Sequence, residues 1–137
     1  MDSLTVIESI KNKFEASGSQ IASIPLQRGN PFTASLNDKG IDVSNLDNQP
    51  FLPWAVFQEA ICVLIRNGGE AKRGNAMRAR LGARGLPLDS VEGHIALVVY
   101  GKRPGEFVFR RIAPIAAILT WAGICENARG KLVLLDS

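Results

Sequence analysis

The sequence predicts an α+β fold, and three observations indicate this class. Residues 54–66 place apolar side chains along one wide stripe at helical spacing. Residues 32–43 and 124–135 instead read as short strands around turns that contain glycine, which is typical of β-hairpins. The 137 residues, of which 46% are apolar and 21% charged, suit one hydrophobic core with little appended to it.

The N-terminal residues predict an amphipathic helix over residues 3–16. Four apolar side chains recur at intervals of three and four and are expected to face inward: Leu4, Ile7, Ile10 and Phe14. Thr5 and Glu8 have the spacing of a capping box, and Gly18 is expected to end the helix. Residues 19–30 show no period and are interpreted as a connector.

Residues 32–43 predict a β-hairpin that turns at Asn37–Gly40, where glycine allows a positive φ. Residues 44–53 read as a loop that leads into the helix at 54–66. That helix stops at Asn67-Gly68-Gly69, which is a strong break.

A second, shorter helix is predicted over residues 75–82, capped by Asn75 and ended by Gly82. Its inward side chains are expected to be Ala76, Met77 and Leu81. Two helices across a tight glycine turn are what a helix-turn-helix needs.

Residues 86–101 are ambiguous between helix and strand, and a helix from about Ser90 is preferred because helices flank it. A long apolar helix follows near 107–122, and Pro114 either begins it or kinks it after a first turn. With the hairpin at 124–135, this order of elements predicts a winged helix-turn-helix over residues 51–137. Residues 1–50 form an N-terminal helix and β-hairpin extension.

Motifs in the C-terminal half carry a resemblance to a known family. They are Phe109-Arg110-Arg111-Ile112, the run Leu119–Ile124 and the turn Asn127-Ala128-Arg129-Gly130, together with LIRNGGEAKRGNAMRARLG before them. Residues 53–135 thereby resemble the N-terminal winged-helix domain of bacterial Mrr-type restriction endonucleases. The resemblance implies DNA recognition by an arginine-bearing helix and an Arg-Gly wing. It does not imply cleavage, because these 137 residues hold no counterpart of that family's nuclease domain.

The charge distribution along the chain favours a polyanion as partner. Residues 1–65 carry four basic and seven acidic side chains, a net −3, whereas residues 66–137 carry twelve basic and six acidic ones, a net +6. Arg66 and Arg84 flank the densest basic cluster. Ten side chains are predicted to contact double-stranded DNA: Lys72, Arg73, Arg78, Arg80, Lys102, Arg103, Arg110, Arg111, Arg129 and Lys131.

Two alternatives stay open. The basic residues also fit solvated helix faces, or surface ion pairs with Glu92, Glu106 or Glu126. The chain would then be a protein–protein interaction module with a winged-helix-like fold and no nucleic-acid binding, which Pro114 and the apolar stretch 112–119 favour. Residues 1–50 are expected to pack on the rest, to form a homodimer or to contact a protein partner.

Enzymatic activity, metals and cofactors are not expected. His94, Cys62 and Cys125 are too few and too scattered for a zinc site. Glu70-Ala71-Lys72 has the E-x-K spacing of metal-dependent nucleases, with Asp47 upstream, but it is expected between helices rather than on strands.

The hydropathy pattern suggests neither a membrane span nor a secretory signal. The longest apolar stretch, residues 112–125, is short and contains Pro114 and Gly123. A cytoplasmic protein is therefore expected.

Overall fold

The computed structural model describes residues 1–135, which form four α-helices and seven β-strands. The mixture of helices and antiparallel sheets confirms the α+β class. In chain order the elements are α1 (Val6–Ser17), β1 (Ile21–Ile24), β2 (Phe32–Asn37), β3 (Gly40–Val43), β4 (Phe51–Pro53), α2 (Trp54–Arg66), β5 (Glu70–Lys72), α3 (Val91–Val98), α4 (Ile112–Trp121), β6 (Cys125–Ala128) and β7 (Lys131–Leu134).

The first sheet is an antiparallel meander in the order β1-β2-β3-β4. The predicted hairpin is its central pair, in which Leu36 lies opposite Ile41. The interpretations of residues 19–30 as a connector and of 44–53 as a loop were wrong, since these segments contain β1 and β4. Each of these edge strands buries only one side chain, Ile24 or Leu52, so neither shows a detectable period.

Helix α1 begins two residues after Leu4, which changes its inward face. Val6 is buried beside Ile10 and Phe14, whereas Leu4 is 77% exposed and was wrongly placed inside. The Thr5–Glu8 capping box does not form, because the Asp2 carboxylate instead accepts the N–H groups of Leu4 and Thr5, both at 2.9 Å. Gly18 ends the helix at φ 79°, as predicted.

Helix α2 has its predicted bounds and leads through Gly68 and Gly69 into a strand rather than a helix. This strand, β5, belongs to a second antiparallel sheet in the order β5-β7-β6. The hairpin predicted at 124–135 forms the rest of the sheet, with Cys125 opposite Leu134.

The predicted helix at 75–82 was wrong, because the structure has only turns there. Gly74 and Gly82 take positive φ values of 84° and 88°, which turn the backbone out of a helix at both ends. Asn75 N–H donates to the Gly85 carbonyl at 2.8 Å, so the segment closes on itself as a loop. Leu81 is buried as expected, but Met77 is 73% exposed.

The helix preferred from about Ser90 is confirmed as α3. Ser90 is its N-cap, and its Oγ accepts the N–H of Gly93 at 3.0 Å. Helix α4 begins at Ile112, later than the predicted start near 107. Pro114 lies in its first turn, where a missing N–H costs no helical hydrogen bond, so proline belongs to the start of this helix and not to a kink.

One hydrophobic core joins the N-terminal and C-terminal parts of the chain. Its buried side chains include Phe14 of α1, Ile41 of β3, Phe57 of α2 and Ile115 of α4. The ring of Phe14 also meets that of Trp121 edge-on at 4.9 Å. The boundary expected at residue 50 falls just before the last strand of the first sheet.

A helix that crosses a membrane must be both long and apolar. No helix within residues 1–135 is both long and apolar enough to cross a bilayer.

Replacing Gly93 in α3 is predicted to destabilise the fold. A Cβ at this position would lie 2.0 Å from the Pro87 carbonyl oxygen. We therefore expect Gly93→Ala to lower the free energy of unfolding by about 1–3 kcal/mol in urea titrations, although alanine normally favours a helix over glycine.

Gly85→Ala is the matched control, since its Cβ would approach only the Ala79 Cβ, at 3.1 Å. We expect it to be the milder substitution. A stabilised Gly93→Ala protein would contradict the close packing of α3 on the loop before it.

Candidate nucleic-acid interface

A groove of about 1530 Å³ opens beside α4. The segment 110–121, most of which is α4, lines it with Arg110, Ile112 and Trp121 and with four small side chains, namely Ala113, Ala116, Ala117 and Thr120. Three other segments complete the lining, and they come from distant parts of the chain: the β1–β2 loop at 25–28, the segment 72–85 and the β6–β7 hairpin at 126–130. The four segments bring together side chains that no local sequence motif connects.

Seven basic side chains line this groove, which we call the basic groove: Arg28, Lys72, Arg73, Arg78, Arg84, Arg110 and Arg129. Glu126 is the one acidic side chain in the lining. None of the seven forms an ion pair with a carboxylate within residues 1–135. A groove with this excess of positive charge concentrates a polyanion.

Arg73 connects three of the groove's segments. Its Nη1 donates to Asn127 Oδ1, to the Ala128 carbonyl at 3.1 Å and to Gln27 Oε1 at 3.2 Å. Its backbone N–H donates to the Gly130 carbonyl at 3.1 Å, and its own carbonyl accepts the Glu92 N–H at 3.0 Å. The side chain of Gln27 also donates to the Asn127 carbonyl. These bonds hold the hairpin, the β1–β2 loop and the start of α3 in place.

The positive charges of the groove act on one another at Arg73. Partial burial lowers the pKa of its guanidinium, and the positive charges of Arg110 and Arg28 lower it further. Since all three line the groove, an anion placed there would relieve their mutual repulsion.

Arg111, although adjacent to Arg110, does not reach the groove. It is only 6% exposed, and its guanidinium lies 3.6 Å from the ring centre of Tyr100 and 4.9 Å from that of Phe109. Its Nη2 donates to Gln49 Oε1 at 2.6 Å. The prediction that Arg111 contacts DNA is therefore corrected, because this side chain is packed inside the protein.

Glu92 caps the helix that lines the groove. Its carboxylate does not form the suggested surface ion pair, but accepts the backbone N–H groups of Arg111 at 2.7 Å and Ile112 at 3.1 Å. Burial raises the pKa of this carboxyl to about 7, against the lowering effect of those two hydrogen bonds. Glu92 thus satisfies the first N–H groups of α4, which carries no other side-chain cap.

Five of the ten predicted contact residues line the basic groove: Lys72, Arg73, Arg78, Arg110 and Arg129. The structure places four further candidates outside the groove. Arg80 lies over the Phe107 ring at 4.4 Å, and Lys131 pairs with Glu70 at 3.0 Å. Lys102 and Arg103 lie on the α3–α4 loop, outside the groove lining.

Arg28 is the groove residue that the sequence did not reveal. It stands alone in an aperiodic stretch between two short strands, and only the three-dimensional fold brings it into the same groove as Arg73. Its one local signal is the following Gly29, which has φ 87° and turns the β1–β2 loop.

The residues considered for catalysis or metal binding are paired or buried in the structure. The E-x-K tripeptide lies on strand β5, not between helices as expected, and the Glu70 carboxylate is bonded to Lys131. His94 is buried, with its Nε2 2.8 Å from Glu59 Oε1. Burial raises the pKa of the Cys125 thiol to about 12, which keeps it protonated and unreactive at neutral pH.

Comparison of the chain with protein-family models, curated proteins and solved structures finds no match. A wide groove with a helix along it and seven cations around it is suited to holding phosphate groups by charge-assisted hydrogen bonds.

Glu92 is predicted to make stability fall as pH rises. Its pKa is about 7 in the folded chain and 4.5 in its ordinary state, so the folded chain keeps a proton that the unfolded chain loses. Between these values the free energy of unfolding should drop by roughly 3 kcal/mol.

Glu92→Gln keeps the hydrogen-bond acceptor but cannot ionise. Urea titrations at pH 5 and pH 8 should show a smaller loss of stability in this variant than in the unchanged protein. All other titrating groups are shared, so parallel pH dependence in the two proteins would contradict this role of Glu92.

Proposed function

We propose that this protein binds double-stranded DNA through the basic groove and is not an enzyme. The observation that carries the proposal is the convergence of seven cations, without carboxylate partners in residues 1–135, around the helix α4. Neutralising phosphates with such side chains releases counterions, which supplies most of the affinity of a protein for DNA.

The order of elements supports the winged-helix part of the proposal. Helices α2, α3 and α4 are followed by the β6–β7 hairpin, and β5 joins that hairpin in a three-stranded sheet. In this assignment α4 is the recognition helix and the hairpin, with Arg129 at its turn, is the wing. The resemblance of residues 53–135 to Mrr-type winged-helix domains remains a prediction.

The lining of the groove suggests how DNA would be held. Arginine and lysine side chains from the walls would contact phosphates and set the position of the duplex. Helix α4 exposes little for base readout: Ala116 and Ala117 are buried, Ala113 and Trp121 are half-buried, and Thr120 is exposed. Alanine and threonine contact thymine methyl groups or a single base edge, and so discriminate less between bases than arginine or asparagine. We therefore expect DNA binding dominated by phosphate contacts.

The alternative is a protein-interaction module, which the apolar stretch at 112–119 favours when the sequence is considered alone. Pro114, Ile115, Ile118 and Leu119 are all buried. The apolar length of this helix is thus accounted for by the core, and the exposed charge of the groove favours a polyanion over an apolar partner.

Salt dependence is the first test of DNA binding. With about six phosphate contacts, the Kd for a labelled duplex of about 20 base pairs should rise roughly 10³-fold between 50 and 200 mM salt. Fluorescence anisotropy measures both values. Absence of binding at 50 mM salt, or binding that salt does not weaken, would refute the proposal.

Matched arginine substitutions locate the interface. Arg78→Ala removes a cation from the basic groove, whereas Arg103→Ala removes an exposed arginine outside it. We expect Arg78→Ala to weaken binding and to reduce the slope of log K against log salt by about 1. Arg103→Ala, and Lys39→Ala at the turn of the first hairpin, should leave both quantities unchanged. Equal losses in Arg78→Ala and Arg103→Ala would place the interface elsewhere.

A further inference from the structure

Three arginines in the basic groove come from three separate segments of the chain. Arg28 lies on the β1–β2 loop, Arg73 follows β5, and Arg110 precedes α4. Arg28 and Arg110 are exposed, whereas Arg73 is half-buried. The three arginines share neither a helix face nor a local basic run. The tertiary fold places them in one groove.

Uncharged groups hold Arg73 in position and do not neutralise its positive charge. Its hydrogen bonds go to the side-chain oxygens of Gln27 and Asn127 and to the Ala128 carbonyl, all through Nη1. Within residues 1–135 its Nε and Nη2 donate to no protein group. Arg28 and Arg110 likewise have no carboxylate partner there. The half-buried guanidinium is therefore fixed but keeps donors available.

Bringing three positive charges together costs free energy. Partial burial lowers the pKa of Arg73, and the positive charges of Arg110 and Arg28 lower it further, while all three side chains line one groove. Arg28 and Arg110 are exposed and can adjust their side chains, whereas hydrogen bonds hold Arg73 at the centre of the groove. An anion bound between them would offset the repulsion among the three positive charges.

We propose that Arg28, Arg73 and Arg110 form a binding site for the dianion of a phosphate monoester. The inference rests on the proposed function, since the site lies within the same groove. A monoester carries close to two negative charges at neutral pH and has three terminal oxygens, so each of three guanidinium groups can bond to one. An internal phosphodiester has one negative charge and two such oxygens, and it matches three arginines less well.

Two kinds of ligand carry a phosphate monoester. One is the terminal 5′-phosphate of a DNA strand lying in the groove, and the other is a free phosphorylated small molecule. Gln27 and Asn127 are positioning residues for either ligand, because their uncharged side chains orient the guanidinium of Arg73.

Inorganic phosphate is the probe for the site itself. At pH 8 and constant ionic strength, added phosphate should raise the Tm of the full chain along a saturating curve, whereas dimethyl phosphate, a monoanionic diester, should not. Arg28→Ala and Arg110→Ala should each weaken phosphate binding about tenfold.

Both substituted side chains are exposed and make no hydrogen bond within residues 1–135, so both variants are expected to fold, which circular dichroism verifies. Lys39→Ala removes a cation away from the groove and should bind phosphate as the unchanged protein does. No saturating response in the unchanged protein, or an equal response in Arg28→Ala and Arg110→Ala, would overturn the proposal.

Two duplexes of one sequence, with 5′-phosphate or 5′-hydroxyl ends, separate the sources. Tighter binding of the phosphorylated duplex, lost in Arg110→Ala, identifies a strand end as the ligand. Equal binding of both duplexes, with phosphate still bound, identifies a free phosphorylated molecule. DNA binding without a phosphate response would refute this site alone. A phosphate response without DNA binding would refute the proposed function alone.

Discussion

The hydrogen bonds of Arg73 hold together the segments that form the walls of the basic groove. The side chain joins the β6–β7 hairpin to the β1–β2 loop, while the backbone of the same residue bonds to Gly130 and Glu92. Hydrogen bonds from a charged donor are the stronger kind, and here they are made to neutral acceptors. The result is a groove whose walls are fixed and whose positive charge is not cancelled.

Glu92 extends this connection from the walls of the groove to α4. Its N–H bonds to the carbonyl of Arg73, and its buried carboxylate caps the first turn of α4. A carboxylate at a helix N-terminus is electrostatically favourable, but its burial is costly, and the pKa of about 7 reflects the balance. The same element that orders α4 therefore makes the fold sensitive to pH.

Much of the fold was predictable, because α2 has a long apolar stripe and the strands of both predicted hairpins flank a tight turn that contains glycine. Strands β1, β4 and β5 are as short as some hairpin strands, with three or four residues each, but no tight turn in the sequence marks their pairing. The helix-forming residues at 75–82 were overridden by Gly74 and Gly82 and by bonds such as Gly82 N–H to the Leu86 carbonyl. Basic density along the chain located five of the seven cations that line the candidate site. It missed Arg28, and it did not separate exposed Arg110 from Arg111, which is buried against Tyr100 and Phe109.

Titration of the ¹⁵N-labelled protein with a short DNA duplex, followed by amide chemical shifts, shows whether DNA binds in the basic groove. The shifted amides should cluster around the groove, at residues such as Gln27, Gly74 and Asn127 from its three walls. Amides far from it, such as Asp42 on β3, should not move. Shifts confined to another face, or no shifts at low salt, would refute DNA binding by the groove.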